Sequence, residues 1–192
     1  SGIWVQQQLE RKIHIDCFNL RSIDSGGLMP YHPSELYKLN DQVIKFYNEG
    51  RYFEAIEIAK KVLAEDEKAL GSNHPFVTHT LNHLGMICSA IGMYNEYESY
   101  YKRALAIREE IFGLDHPEVA SSLNNLALLY VDMGKYEDAE PLLKRAMCIR
   151  EKNSGKDHPE SATPLHNLAL LYMNQKRYSE AEVLFKQAIE IW

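Results

Sequence analysis

The chain has almost nothing with which to build a disulfide frame or a zinc knuckle. Its 192 residues hold three cysteines, Cys17, Cys88 and Cys148, with no C-x-x-C pair. So few and so widely spaced thiols fit reduced cysteines in a cytoplasmic setting. Apolar runs are short. None approaches the ~20 residues of a membrane-spanning helix, and Ile3-Trp4-Val5 is too brief for the apolar region of a signal peptide. Positive charge is not concentrated either: 21 Lys and Arg stand against 27 Asp and Glu, a net charge of -6. The basic stripe that nucleic acid or an anionic membrane surface requires is therefore missing, and both are disfavoured as partners. The sequence has no Gly-rich phosphate loop, no G-x-S-x-G elbow and no cysteine in a catalytic context. His79 and His83 are four residues apart, a spacing that could grip a metal from one helical face, but no general-base glutamate lies between them as in H-E-x-x-H. The expectation is no catalytic residue, no metal and no cofactor.

What the sequence does have is a ruler. The pair His-Pro occurs at His32-Pro33, His74-Pro75, His116-Pro117 and His158-Pro159, each 42 residues after the last. Leu39, Leu81, Leu123 and Leu165 share one position of the period, and Tyr52, Tyr94, Tyr136 and Tyr178 share another. Periods of this length signal a solenoid, whose core is spread along its axis rather than gathered in a globule.

Within the third unit, Val119, Leu123, Leu126, Ala127 and Tyr130 are spaced by three and four, one face of a helix over about 117–132. After Gly134, a second helical set runs through Tyr136, Ala139, Leu142, Leu143, Ala146, Met147 and Ile149. Gly71, Gly113 and Gly155 close the second helices, where an achiral residue can take a left-handed conformation. Asn73, Asp115 and Asp157 are then expected to cap the next first helix, with proline in its first turn, so that the histidines serve as structural punctuation. First helices are expected near 34–48, 75–90, 117–132 and 159–174.

The run Leu123-Asn124-Asn125-Leu126-Ala127-Leu128-Leu129-Tyr130, followed by Gly134-Lys135-Tyr136, Ala139 and Ala146, resembles the tetratricopeptide repeat in its 42-residue, kinesin-light-chain-like form. The resemblance covers residues 32–192 and implies an all-α fold, an α-α superhelix of four helix-turn-helix repeats at 32–73, 74–115, 116–157 and 158–192. Residues 1–31 are a leader outside the period, and the flexible-looking Ser25-Gly26-Gly27 joins it to the first unit. It reads either as a cap on the apolar edge of unit one or as a segment seated in the groove of its own or a neighbouring molecule. Ser1-Gly2 reads as a cleavage remnant and Trp192 falls before the period completes, as in an excised piece of a longer protein. Unit one is the most divergent, with Gln42 and Val43 where unit two has Leu84 and Gly85. Unit two carries Tyr97 where units three and four have Ala139 and Ala181, and Cys88 where they have Tyr130 and Tyr172. Tyr97 is therefore expected to fill the space beside Cys88, conserving volume. Charged runs such as Glu65-Asp66-Glu67-Lys68 read as solvated second-helix faces.

By the same resemblance the first helices line a concave groove. Counting along the period, the peptide-binding candidates are Asn82, His83 and Met86 in unit two, Asn124, Asn125 and Leu128 in unit three, and His166, Asn167 and Leu170 in unit four. An Asn side chain can donate to a peptide carbonyl and accept from a peptide amide, so alternating amides and apolar side chains suit an extended segment. The alternative is that Asn124 and Asn125 bridge adjacent helices. The groove positions hold Asp41 and Asp132 and no Lys or Arg, so neither a carboxylate clamp nor a reader of acidic motifs is expected. The leading reading is a non-catalytic scaffold that docks a neutral or mildly basic segment of a partner protein. The second is a self-assembly module, a homo-oligomer built through repeat ends or leader exchange.

Overall fold

The computed structural model describes residues 34–191, the side chains of 34–37 and 95–97 apart, as eight α-helices, with no strand among the described residues. They are α1 Ser34–Asn48, α2 Tyr52–Leu70, α3 Val77–Ile91, α4 Tyr94–Phe112, α5 Pro117–Asp132, α6 Tyr136–Ser154, α7 Pro159–Asn174 and α8 Tyr178–Ile191. Each helix packs on its neighbours in sequence, and the first helices α3, α5 and α7 also touch one another in turn. The result is an all-α solenoid. The leader, residues 1–31, lies outside the described residues.

Every second helix opens on the recurrent tyrosine. The turn before it is the same each time: Arg51, Met93, Lys135 and Arg177 each donate a backbone N–H to the carbonyl five residues back, a closure of the Schellman type. The residue before each donor has positive φ, and it is Gly50, Gly92 and Gly134 in three units but Lys176 in the fourth. Lys176 therefore carries the steric cost of a Cβ in left-handed backbone, about 1–2 kcal/mol.

The His-Pro pairs cap helices in a way the sequence reading assigned to the preceding residue. His116 and His158 are themselves the N-caps, each accepting through Nδ1 from the backbone N–H of Glu118 and Glu160. Asp115 instead turns outward to Lys152, 2.5 Å away. His74 Nδ1 likewise accepts from Phe76 N. There the first turn is tightened by bonds spanning three residues, Val77 N to His74 O, Thr78 N to Pro75 O and His79 N to Phe76 O, so α3 begins at Val77 rather than 75. The closing glycines also differ from expectation. Gly71, Gly113 and Gly155 combine φ of 91°, 82° and 94° with extended ψ, a region open essentially to glycine alone.

Junctions between repeats are stapled by a motif that recurs with the period. Tyr130 of α5 donates its hydroxyl to Glu98 of α4 at 2.9 Å, and Tyr172 of α7 does the same to Glu140 of α6 at 2.9 Å. Lys135 and Arg177 close the motif, each reaching the same carboxylate and lying over the tyrosine ring. Lys102 and Lys144, one turn along the second helix, complete it at 2.7 Å each. Lys102 first, then Tyr130 and Lys135, hold the Glu98 carboxyl down to about 2.

Deeper in the junctions, the run Glu65-Asp66-Glu67-Lys68 departs from the solvated face expected of it. Asp66 is 1% exposed and accepts from Thr80 of α3 at 3.0 Å. At the same repeat position Arg108 is 4% exposed and ties Thr78, Ser122 and the Glu118 carbonyl together across α3, α4 and α5. Arg150 continues the series, bonding Ser121 and Glu160. The Arg108 guanidinium can be buried this far because partners surround it.

A volume exchange is described in unit two at a second pair of positions. Cys88 is buried, whereas the side chain of Tyr97 lies outside the described residues. The described exchange pairs Gly85 of α3 with the buried Tyr101 of α4: a Cβ added at Gly85 would fall inside the Tyr101 ring. In unit three the same two positions hold Ala127 and Leu143, both fully buried. Gly85→Ala should therefore destabilise by ~1–3 kcal/mol through overpacking, even though alanine favours a helix. Gly85→Ala with Tyr101→Leu, which recreates the unit-three pair, should recover that loss in urea denaturation. Independent, additive losses would disprove the exchange.

Candidate functional site: the face of the first helices

An α-helix packed on one side by its own repeat and along both flanks by neighbours keeps one narrow strip for solvent. On α3 that strip includes Asn82, His83 and Met86, all half-buried. On α5 it holds Asn125 and Leu128, and on α7 His166 and Leu170, again half-buried, with Met173 more open at 46% exposure. Asp41 and Asp132 are exposed, as expected.

Two of the nine candidates sit elsewhere. Asn124 and Asn167 are only 5% and 4% exposed, and Asn167 Nδ2 donates to Asn124 Oδ1 at 2.7 Å. For Asn124 the helix-bridging alternative is what the structure describes. Each of the two amides spends part of its hydrogen-bonding capacity on a rung that locks α5 to α7. His166 is also engaged, its ring meeting the edge of Phe185 of α8 at 5.4 Å.

The rung has a counterpart one repeat earlier. Asn82 stands one period before Asn124, and Asn125 one period before Asn167, so the pair Asn82 and Asn125 occupies the same place between α3 and α5. That rung is open. Asn82 Oδ1 is buried without a hydrogen-bond partner among the described residues, and so is the neighbouring His83 Nδ1. An unmade hydrogen bond on a buried polar atom costs ~1–3 kcal/mol, so the face carries unsatisfied acceptor capacity where α3 meets α5. Burial, reinforced by the nearby His79, pushes the His83 imidazole down to about 4. At neutral pH it is an uncharged ring.

No group of three or more His, Cys, Asp or Glu among the described residues could hold a metal ion. The sequence reading missed two things here: that the amide columns pair diagonally, from one position to the next position of the following repeat, and that only one of the two asparagine rungs is closed. The 43-residue offset between Asn124 and Asn167 was visible, but only packing says which amide faces which.

Two outcomes follow. Asn124→Ala or Asn167→Ala should each cost ~1–3 kcal/mol of stability, because each strands a buried partner, and the double variant should lose less than the sum. Urea titration reads this, and full additivity would mean the rung couples nothing. His83 is held neutral in the folded chain, while its unfolded value lies near 6.5. Between those values only the unfolded state binds the proton, so its contribution to stability is complete above about 6.5 and is lost as pH falls toward about 4. His83→Asn, the residue of units three and four at that place, should flatten the pH dependence of the unfolding midpoint across this window; an unchanged slope would contradict the burial of the ring.

Comparison with known proteins bears on the fold and its class. The family model of the tetratricopeptide repeat matches residues 45–110, 91–152 and 118–192. A search of curated proteins finds no match. Among solved structures, a point variant of a Podosopora anserina kinesin light chain-type protein with nearly identical TPR-like repeats superposes with a TM-score of 0.72 at 28% identity, covering 84% of this chain and 76% of that one. BtubC (BKLC) from P. vanneervenii also gives 0.72, at 23% identity, covering 81% of this chain, which spans 62% of BtubC. No helix among the described residues is long and apolar enough to cross a membrane. With the period, the helix pairs and the family model agreeing over most of its length, the chain belongs to the tetratricopeptide repeat family, whose members are typically non-enzymatic scaffolds for protein–protein interaction.

Proposed function

We propose that this chain docks a segment of a partner protein along the face of its first helices, and that the open rung formed by Asn82 and Asn125 is the centre of that site. The observation that carries the reading is the unpartnered Asn82 Oδ1, buried beside half-exposed Met86 and one repeat away from an identical rung that is closed. A peptide N–H donated to this oxygen would recover the hydrogen bond that the fold leaves unmade. Met86, Leu128 and Leu170 offer apolar contacts on either side, and methionine adapts its shape to varied partners. Asp41 and Asp132, with no Lys or Arg among the groove positions, favour a neutral or mildly basic segment over an acidic one. His83, held uncharged, adds an acceptor rather than a positive charge. Asn124 and Asn167 take a positioning part, fixing the α5–α7 spacing on which the strip depends. The chain would act in the cytoplasm, consistent with its reduced thiols, and needs no cofactor.

The test is a displayed library of short peptides with apolar residues at alternate positions, selected on the whole chain and measured by calorimetry. Asn82→Ala and Met86→Ala should each weaken the selected peptides by about five- to a hundredfold, measured at a temperature where the unfolding midpoint shows each variant fully folded. Added salt should alter affinity little, because no clamp of charges is involved. Peptides indifferent to both substitutions, yet lost on Glu57→Lys or Glu137→Lys on the outer second helices, would move the site to the opposite face.

A further inference from the structure

Three pairs of side chains along the first helices are laid out on one plan. In the closed rung Asn167 of α7 donates to the side-chain oxygen of Asn124 in α5, at an offset of 43 residues. The same offset pairs Asn125 of α5 with Asn82 of α3, and His83 of α3 with Asn40 of α1. At the Asn82 rung the atom that should accept, Oδ1, is buried without a hydrogen-bond partner among the described residues. At the Asn40 rung the orphaned atom is His83 Nδ1, and the amide that the offset assigns to it is itself buried, at 8% exposure. Both open rungs therefore share one member, α3, which takes part in one with α1 and in the other with α5.

Two further features set α3 apart from α5 and α7. Its first turn is held by bonds spanning three residues, from Val77, Thr78 and His79 to His74, Pro75 and Phe76, whereas in α5 the Ala120 N–H reaches back four residues to His116. Bonds of the shorter span have the poorer geometry. Its interior holds Gly85 where α5 and α7 hold Ala127 and Ala169, and glycine weakens a helix interior. The apolar side of α3 is nevertheless complete, with Leu81, Leu84 and Ile87 fully buried. A movement that keeps those contacts is a small slide of a packed helix, not a detachment.

We propose that α3 has two positions. One is that of this structure, with both rungs open; in the other, Asn125 donates to Asn82 Oδ1 and Asn40 to His83 Nδ1. Two buried acceptors without donors favour the second position, and the closed rung between α5 and α7 shows that the repeat accommodates the bond. The loss of packing on sliding favours the first, so both are populated, the minor one at ~1% or more. Closure takes up the atom to which a docked segment would donate, and so acts as an internal brake on docking. That consequence rests on the docking reading, whereas the movement itself does not.

Relaxation-dispersion NMR of the full chain without ligand tests this, since it reads exchange between positions on the microsecond to millisecond timescale. The α3 backbone amides and the side-chain amides of Asn82 and Asn125 should show dispersion, while those of Asn124 and Asn167, held in the closed rung, should show none. Asn125→Ala removes the donor at one rung and His83→Leu the acceptor at the other. Together they should abolish the dispersion, with a cooperative urea transition as the control for folding. A flat response throughout α3 overturns the proposal. So does dispersion that survives the double variant, which would assign the motion to something other than the rungs. Peptides selected on this face should quench the dispersion. Peptides that bind through Asn82 and leave it unchanged overturn the brake, whereas failure to select any peptide counts against the docking reading alone.

Discussion

A pair of helices of this length cannot cover its own apolar surface, and every other feature of the molecule follows from that shortfall. Each second helix presents one row of side chains to its own first helix and another to the first helix of the following repeat. Leu63, Leu105 and the clusters around them are buried only because a further repeat arrives. Stability is therefore carried by nearest-neighbour junctions along the chain. A polar staple fixes the register at the later junctions, and an ionisable residue at one repeat position, buried as Asp66 and Arg108 and half-buried as Arg150, fixes it nearer the core. The sign of that residue changes from the first junction to the second, and its partners change with it, from the Thr80 hydroxyl to hydroxyls, a carbonyl and carboxylates. The position calls for a polar group that reaches across the joint to a partner on the next helix, and either an acid or a base can supply it.

Such a joint leaves the first helices little freedom. Gly85 lies against Tyr101, where an added Cβ would clash, and Ala127 and Ala169 hold the same repeat position. Unit two resolves this with glycine against tyrosine, unit three with alanine against leucine. Divergent repeats can thus share one backbone, because what is held constant is the summed volume and not the individual residue. The strip of surface left half-exposed on these helices carries fewer packing demands than the faces turned to neighbouring helices. The asparagine rungs lie at the boundary between the two regimes. Closed, as between Asn124 and Asn167, a rung is part of the framework; open, as at Asn82, it leaves a buried acceptor without a hydrogen-bond partner among the described residues.

The sequence by itself determined the period, the helix pairs and nearly all of their limits, because a 42-residue repeat states its boundary signals three or four times over and apolar spacing names the inward face. Glycine at the turns was legible for the same reason, since backbone with positive φ leaves few other choices. Even the candidate strip could be counted out, as Asn82, His83, Met86, Asn125, Leu128 and Leu170 all lie half-exposed. Tertiary structure alone decided what faces what. Whether Asn124 points to solvent or to Asn167, whether His116 or Asp115 caps α5, and which large side chain Gly85 meets are questions of distance between elements. A hydrophobic pattern specifies the buried face of a helix to within a turn. A hydrogen bond is made or lost within about half an ångström, and that precision exists only once the repeats have packed.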